Sequence, residues 1–484
     1  MTVELQDEVA VEVEVEVEAT LLEKQPVKKR SFLSRGSYRR WFMLGILSVL
    51  SAVNQAICYS YAPISIIVEE RWEQRLLPEH LITVYFVSYI PCTFIGSWIM
   101  DRKGLAYGVI LGGVLQTLGT GLRYFACLFE PLDEVYVTLA GQTIASLAMP
   151  FMVNSPPLLS ANWFPLSMRA ASTSVALNAN ALGTALVYLT APLIVRSGDD
   201  IPDWNLYLAL LSLVSCVIAV VFFRSDPKAR RNLSSASSSS SSTKTYDWSQ
   251  WWTAFTHCGF WHTLVAFALA ETIINAFSAL LDKFMGVAPV SKTQIGIVGA
   301  AFIVSSLVGG QIISQQVDKK RNHKMASLIS LLVTAVSIAL FGLIPKAEIH
   351  ASLVCLLVLG AVLGAIQPIV LELGVECAFP TSEATVAALQ QLCGNFLSAI
   401  AVSGLSALQR MSLDATGRES LKYFFVSPEW IMVVVTIVTF GIFCFYNGKY
   451  KRYAHESKIV LPRVDQDQVT SINTSTSEEP ACFG

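Results

Sequence analysis

A chain of 484 residues that is 53% hydrophobic and only 14% charged lies well below the roughly one-quarter charged content of ordinary soluble domains, which argues against a soluble enzyme. Its formal charge of −2, from 34 Lys and Arg against 36 Asp and Glu, offers no basic excess and no electrostatic case for nucleic acid as a partner. The ten cysteines are scattered without a C-x-x-C pair and read as packing residues, not as a metal site.

Taken in chain order, the leader alternates Val and Glu from Val11 to Glu18 and then turns basic. Dense like charge with no pairing partner predicts disorder over 1–38. The first apolar stretch begins only at Trp41, too late for a cleaved signal peptide, and reads as a retained span. A spanning helix needs about twenty apolar residues, and the first half supplies six stretches: 41–62, 81–100, 104–126, 136–159, 171–194 and 206–223. Residues 224–256, with a serine run from Ser237 to Ser242, read as a flexible linker. Six further stretches follow at 259–281, 295–314, 325–344, 352–374, 384–408 and 430–445. The expected organisation is therefore two six-helix halves, 39–223 and 257–446, with a polar tail over 447–484 expected to be disordered.

Twenty-four of the 34 Lys and Arg precede the first span, follow the last, or lie in alternate connections, against nine in the opposite loops. Positive residues near span ends are retained in the cytosol. Both termini and the linker are thus expected on the cytosolic side of the plasma membrane or an endomembrane. An internal repeat supports the six-plus-six layout. Asp101, which follows the second span, has a counterpart in Asp318, 217 positions later, and Trp163-Phe164-Pro165 is echoed by Ala378-Phe379-Pro380 at an offset of 215. Two matching offsets indicate a duplicated unit.

The pattern Gly-x-x-x-x-Asp-Arg-x-Gly at Gly96–Gly104 resembles the loop signature of the major facilitator superfamily. The resemblance implies an all-α membrane protein with twelve transmembrane helices in two six-helix pseudo-repeats. Gly96, Asp101, Arg102 and Gly104, with Asp318 in the degenerate copy, would latch one conformational state, the Asp capping a helix N-terminus and the basic residues holding headgroups or the facing half. Glu372 and Glu376, one helical turn apart, and Arg169 at the matching end of the fifth span form either a cytosolic charge network that opens during transport or a set of solvated charges.

Tyr38-Arg-Arg-Trp41, Asn54, Ala62-Pro63, Trp98-Ile-Met-Asp101, Trp163-Phe164-Pro165, Asn180-Ala-Leu-Gly183 and the run Glu372–Pro380 resemble the feline leukaemia virus subgroup C receptor-related transporters. The likeness runs from Tyr38 to about Tyr446 and is nearer a poorly characterised branch than the choline-handling members. Members of that family have been linked to haem, choline or ethanolamine, and pyridoxine, which implies a small organic nutrient or cofactor as solute. The choline-handling members enclose the quaternary ammonium with a Trp on the first helix and a Tyr on the seventh, by cation–π attraction. The matching positions here are Cys58 and Asn275. A fifth-helix glutamine falls on Ala181, and an eleventh-helix glutamine on Asn395, which keeps an amide. The choline assignment is therefore not carried over.

Polar residues inside apolar spans must face the bundle interior, because lipid offers them no partner. Glu271, Asn275, Ser278 and Asp282 recur at helical spacing on one face of the seventh span. Asn54, Cys58 and Tyr61 share a face of the first span, and Gln391, Asn395 and Ser398 one of the eleventh. With Tyr59, Gln142, Asn180 and Gln367 these residues are the candidates for a solute site; the alternative for each is a hydrogen bond that ties helices together. Glu271, near the middle of its span, is a proton-coupling carboxyl, a counter-ion for a cationic solute, or a structural group. No P-loop, H-E-x-x-H or nucleophile motif is present, so neither an enzyme nor direct ATP drive is expected, and no cofactor. The expected function is secondary active or facilitative transport of a small organic solute by alternating access. Its partners are that solute, the lipid bilayer, and protons or another coupling ion. The other reading is a non-transporting membrane receptor or scaffold acting through its cytosolic tails.

Overall fold

An apolar stretch of spanning length must satisfy its own backbone polar groups, and the helix does this within one segment. The computed structural model describes residues 35–225, 248–257, 259–285, 290–320, 322–345, 348–381, 383–414, 427–448 and 451, and among them no strand occurs. Leader residues 1–34, the serine run and the tail apart from 447, 448 and 451 lie outside the described residues, as do the side chains of Asp101 and Asp318; residues 35–38 of the leader begin a helix. The described residues from Leu44 onward make one compact unit and carry the contacts described below.

In chain order the helices are α1 (Arg35–Cys58), a 3-10 turn (Ala62–Ile64), α2 (Ser65–Arg71), α3 (Pro78–Lys103), α4 (Leu105–Ala126), α5 (Pro131–Ser146), α6 (Met149–Val153), α7 (Ser155–Trp163), α8 (Leu166–Ile194) and α9 (Ile201–Phe222). After the central gap come α10 (Trp248–Thr256), α11 (Phe260–Met285), α12 (Lys292–Lys320), α13 (His323–Leu343), α14 (Ile349–Ala378), α15 (Glu383–Asp414) and α16 (Pro428–Cys444). Among the described residues eleven helical runs are long and apolar enough to cross a membrane; α16 is apolar but has 17 residues. The expected spans are found with ends moved by several residues, and two differ in kind. The first is interrupted after Cys58, and the fourth is divided into α5, α6 and α7, with Pro150 and Pro156 in the first turns of α6 and α7. Proline lacks the N–H that a continuing helix needs and clashes with the preceding turn. The segment read as linker to residue 256 ends in a helix, α10.

Proline also opens α3, α5 and α16, where a missing N–H leaves no bond unmade. Gly104 separates α3 from α4 at φ +91°, a conformation in which a Cβ would be strained. The role of helix packing is clearest where α8 crosses α12: a Cβ on Gly296 would overlap the Tyr188 carbonyl, so only glycine allows that approach. The interior is built around α11, where Phe277 meets Phe284, Phe302 and Phe341 with ring centroids 5.4 to 5.9 Å apart. By contrast α9 turns Leu210, Leu211, Val214 and Val217 outward, as suits a face in contact with acyl chains.

Candidate solute site

The break in the first span sets the site. Pro63 cannot donate to the Tyr59 carbonyl in helical register, and that carbonyl takes the N–H of Ala62 instead at 2.9 Å. Residues 59–64 are thus wound differently from α1, and Tyr59 points to the last six spans. Its hydroxyl donates to Asn275 Oδ1 at 2.9 Å, and Asn275 Nδ2 donates to Ser398 Oγ at 2.9 Å. All three residues are buried. One turn before Asn275, Glu271 accepts a hydrogen bond from the Gln391 amide and packs its carboxylate on the backbone of α15 at Gly394. Asn395 Nδ2 donates to the Gln391 carbonyl at 2.9 Å. Glu271 Oε2 and Asn395 Oδ1 are buried without a hydrogen-bond partner. No ion pair to Glu271 is found among the described residues.

A second buried cluster lies wholly in the first six spans. Arg123, 1% exposed, donates from Nη1 to Gln142 Oε1 at 2.8 Å and the Ile57 carbonyl at 3.3 Å, and from Nη2 to Ser60 Oγ at 2.8 Å and Asn205 Oδ1 at 3.1 Å. Its guanidinium stands 4.3 Å from the centre of the Tyr61 ring, whose hydroxyl donates to the same Asn205 oxygen at 2.8 Å. Gln142 and Tyr61, grouped by sequence with the solute site, therefore belong to the Arg123 cluster. Arg123 was legible only as an Arg near a span end. The signal that marks it is Gln116, Thr120 and Arg123 at helical spacing on one face of α4.

The remaining candidates divide further. Asn180 Nδ2 donates to the Ser51 carbonyl and hydroxyl, each at 3.1 Å, which ties α8 to α1. Ser278 contributes its carbonyl, which accepts the Tyr188 hydroxyl at 2.7 Å. Asn54 is fully buried with neither amide atom hydrogen-bonded, Cys58 is buried at the last position of α1, and Gln367 is half-buried outside the hydrogen-bonded set.

Beyond Asn275 the two halves are joined at one end of the bundle by charge. Lys283 on α11 lies between Glu69 and Glu79, with both Glu79 oxygens at 2.7 Å. Arg410 on α15 holds Glu69 at 3.0 Å, Ser406 donates to Glu79, and Thr83 meets Ser403 at 3.0 Å. Asp282, fully buried, accepts from the Ser65 hydroxyl at 2.9 Å and the Ile66 N–H at 3.3 Å while pairing with Lys292 at 2.9 Å. The sequence stripe from Glu271 to Asp282 thus runs from a buried carboxylate into this closure.

At the opposite end Gly96 admits the Pro150 side chain, whose Cβ would lie 3.3 Å from a Cβ placed there. Arg102 lies 4.8 Å from the centre of the Trp98 ring. Arg169 donates to the Phe164 and Ala161 carbonyls at 3.3 and 3.2 Å, so these bonds hold the C-terminal end of α7. Glu376 is buried and Glu372 half-buried on α14.

Among curated proteins the chain is similar to Solute carrier family 49 member A3 of Danio rerio, 28% identical over 428 residues that cover 87% of this chain and 90% of that protein. It is also similar to the Choline/ethanolamine transporter flvcr2b of Danio rerio, 22% identical over 364 residues, 72% of this chain and 74% of that one. Among solved structures the D-xylose-proton symporter superposes with a TM-score of 0.68 at 14% identity, covering 86% of this chain and 98% of that chain. The model of the Major Facilitator Superfamily matches residues 41–402: the chain is a multi-pass membrane protein that belongs to this superfamily of transporters.

Proposed function

We propose that the protein carries a small organic solute across its membrane by alternating access, at the site formed by Tyr59, Glu271, Asn275, Gln391, Asn395 and Ser398. The observation that carries this reading is Glu271, a buried carboxylate with one oxygen on a neutral amide, the other unpartnered, and no cation within reach among the described residues. An intramembrane acid left incomplete in this way is a place for a proton or for a cationic group of the solute. Charge closure at the Glu69, Glu79, Lys283 and Arg410 end, which the Lys/Arg distribution assigns to the outer side, would make this an outward-closed state. Outward opening would break those pairs as the halves rock about the site.

The test is thermal unfolding of the purified full-length chain with choline, ethanolamine, pyridoxine, haem and other small amines and vitamins, repeated on a chain lacking both tails. Stabilisation by a solute that survives removal of the tails supports transport. A ligand whose effect disappears with the tails would favour the receptor or scaffold reading.

A further inference from the structure

We propose that Arg123 is a positioning residue of the solute site: it holds the broken end of α1 and thereby fixes where Tyr59 meets Asn275. This rests on the solute-site reading above. Five observations carry it. The guanidinium binds the Ile57 carbonyl, which belongs to the last turn of α1, where helix carbonyls lose their intrahelical partners. A cation is favoured there because the helix C-terminus carries partial negative charge. All four hydrogen-bond acceptors of Arg123 are neutral, so this dipole is the compensation that an acid supplies to most buried arginines.

The remaining observations concern the three residues of the break. Ser60 is held on both sides: its hydroxyl accepts from Arg123 and donates to Ile57, and its carbonyl accepts the Trp204 indole N–H at 3.1 Å. Tyr61 is held by Asn205 and by the face of its ring against the guanidinium. Tyr59, between α1 and these two, is left to reach the other half of the molecule. Arg123 acts through the backbone on either side of Tyr59 and does not itself hydrogen-bond to any residue of the site.

In transporters with interrupted helices, an exposed helix C-terminus is often where a transported cation is coordinated. Here a resident side chain fills that place. The site's capacity for a proton or cationic solute is thereby confined to Glu271, and the first span supplies geometry.

The test needs no solute. In full-length protein with Cys58→Ala and Cys393→Ala, the substitutions Tyr59→Cys and Asn275→Cys place one thiol on each side of the contact. A short bis-methanethiosulfonate reagent then reads their proximity. Thr83→Cys with Ser403→Cys serves as a second pair between the same halves. Arg123→Lys keeps the cation but loses the two-armed grip. We expect it to lower cross-linking of the 59/275 pair by roughly threefold or more while leaving the 83/403 pair unchanged. Equal cross-linking of 59/275 with Arg and Lys would overturn the proposal, and so would a parallel loss at both pairs, which marks a general packing role. If Arg123→Lys does not fold, Gln142→Met removes one acceptor of the guanidinium and should give a smaller loss confined to 59/275; an unchanged pair there overturns it equally. Solute stabilisation that survives both Tyr59→Phe and Asn275→Leu would reject the solute-site reading and leave the cross-linking result standing.

Discussion

Glu271 and Arg123 are both buried charges in apolar spans with no opposite charge beside them among the described residues, yet their surroundings differ. Arg123 has both terminal nitrogens satisfied by four oxygens, a helix end and an aromatic face, and leaves only its Nε without a partner. Glu271 has one amide donor and an unpartnered oxygen. A buried charge is tolerated when its environment completes it and is available for chemistry when it does not. The first arrangement builds a rigid unit within one half; the second sits where the halves meet. Removing each charge should therefore have opposite consequences.

The largest expected effect is on stability at Arg123. Arg123→Met leaves Gln142 Oε1 and Ser60 Oγ without their donor and leaves the Ile57 carbonyl and Asn205 Oδ1 to their other donors, among them the Ser60 and Tyr61 hydroxyls, and should cost on the order of 3 kcal/mol, read as a lowered thermal-unfolding midpoint of the purified protein. A loss below about 1 kcal/mol would erase the contrast. Next is Lys283→Met, which removes the cation paired with Glu79, leaving it the Ser406 hydroxyl, and leaves Glu69 to Arg410 alone at the closed end, and should open it. Accessibility of a thiol introduced at Ser403 to a membrane-impermeant reagent should rise by about tenfold or more. Unchanged labelling would mean that apolar packing, not charge, closes that end.

Glu271→Gln should leave the midpoint within about 1 kcal/mol of wild type, since it retains the shape and an amide-to-amide bond to Gln391. Its effect belongs to transport. In an uptake series across pH, a proton-carrying Glu271 predicts loss of pH-driven accumulation with exchange preserved, whereas a counter-ion predicts loss of binding itself. Wild-type behaviour in both would leave a structural role and remove the distinction from Arg123. The smallest expected effect is that of choline. Cys58 and Asn275 replace the two aromatic walls implied by the family resemblance, so choline at about 1 mM should stabilise the protein by less than about 0.5 kcal/mol. A larger shift would show that Tyr59 or another ring has taken their place.

The two buried charges also show what the sequence could convey. Most span positions followed from apolar length alone, because a bilayer imposes that length. That Glu271 and Asn275 share one helix face and Gln391, Asn395 and Ser398 another was legible, because one-helix periodicity shows which residues lie together. Which face meets which neighbour is a three-dimensional fact. Gln142 and Tyr61 have the composition of site residues, but Arg123 claims both. Asn180 looks equally suited and instead binds Ser51. The break after Cys58 was missed because Ala62-Pro63 was placed at the end of a span, where proline is unremarkable; in the structure it winds the chain differently in mid-path. The Lys283, Glu69, Glu79 and Arg410 closure was invisible because its members come from four separate segments, each charge looking like ordinary loop solvation.

The most direct test of the account is whether solute stabilisation depends on Glu271 and on its partner across the site. Thermal unfolding is measured for wild type, Glu271→Gln, Asn275→Leu and Asn180→Leu with whichever of choline, ethanolamine, pyridoxine, haem and the related amines and vitamins most stabilises wild type. The account predicts that the solute-induced shift is lost in Glu271→Gln and Asn275→Leu and retained in Asn180→Leu. A full shift in both site variants would contradict it.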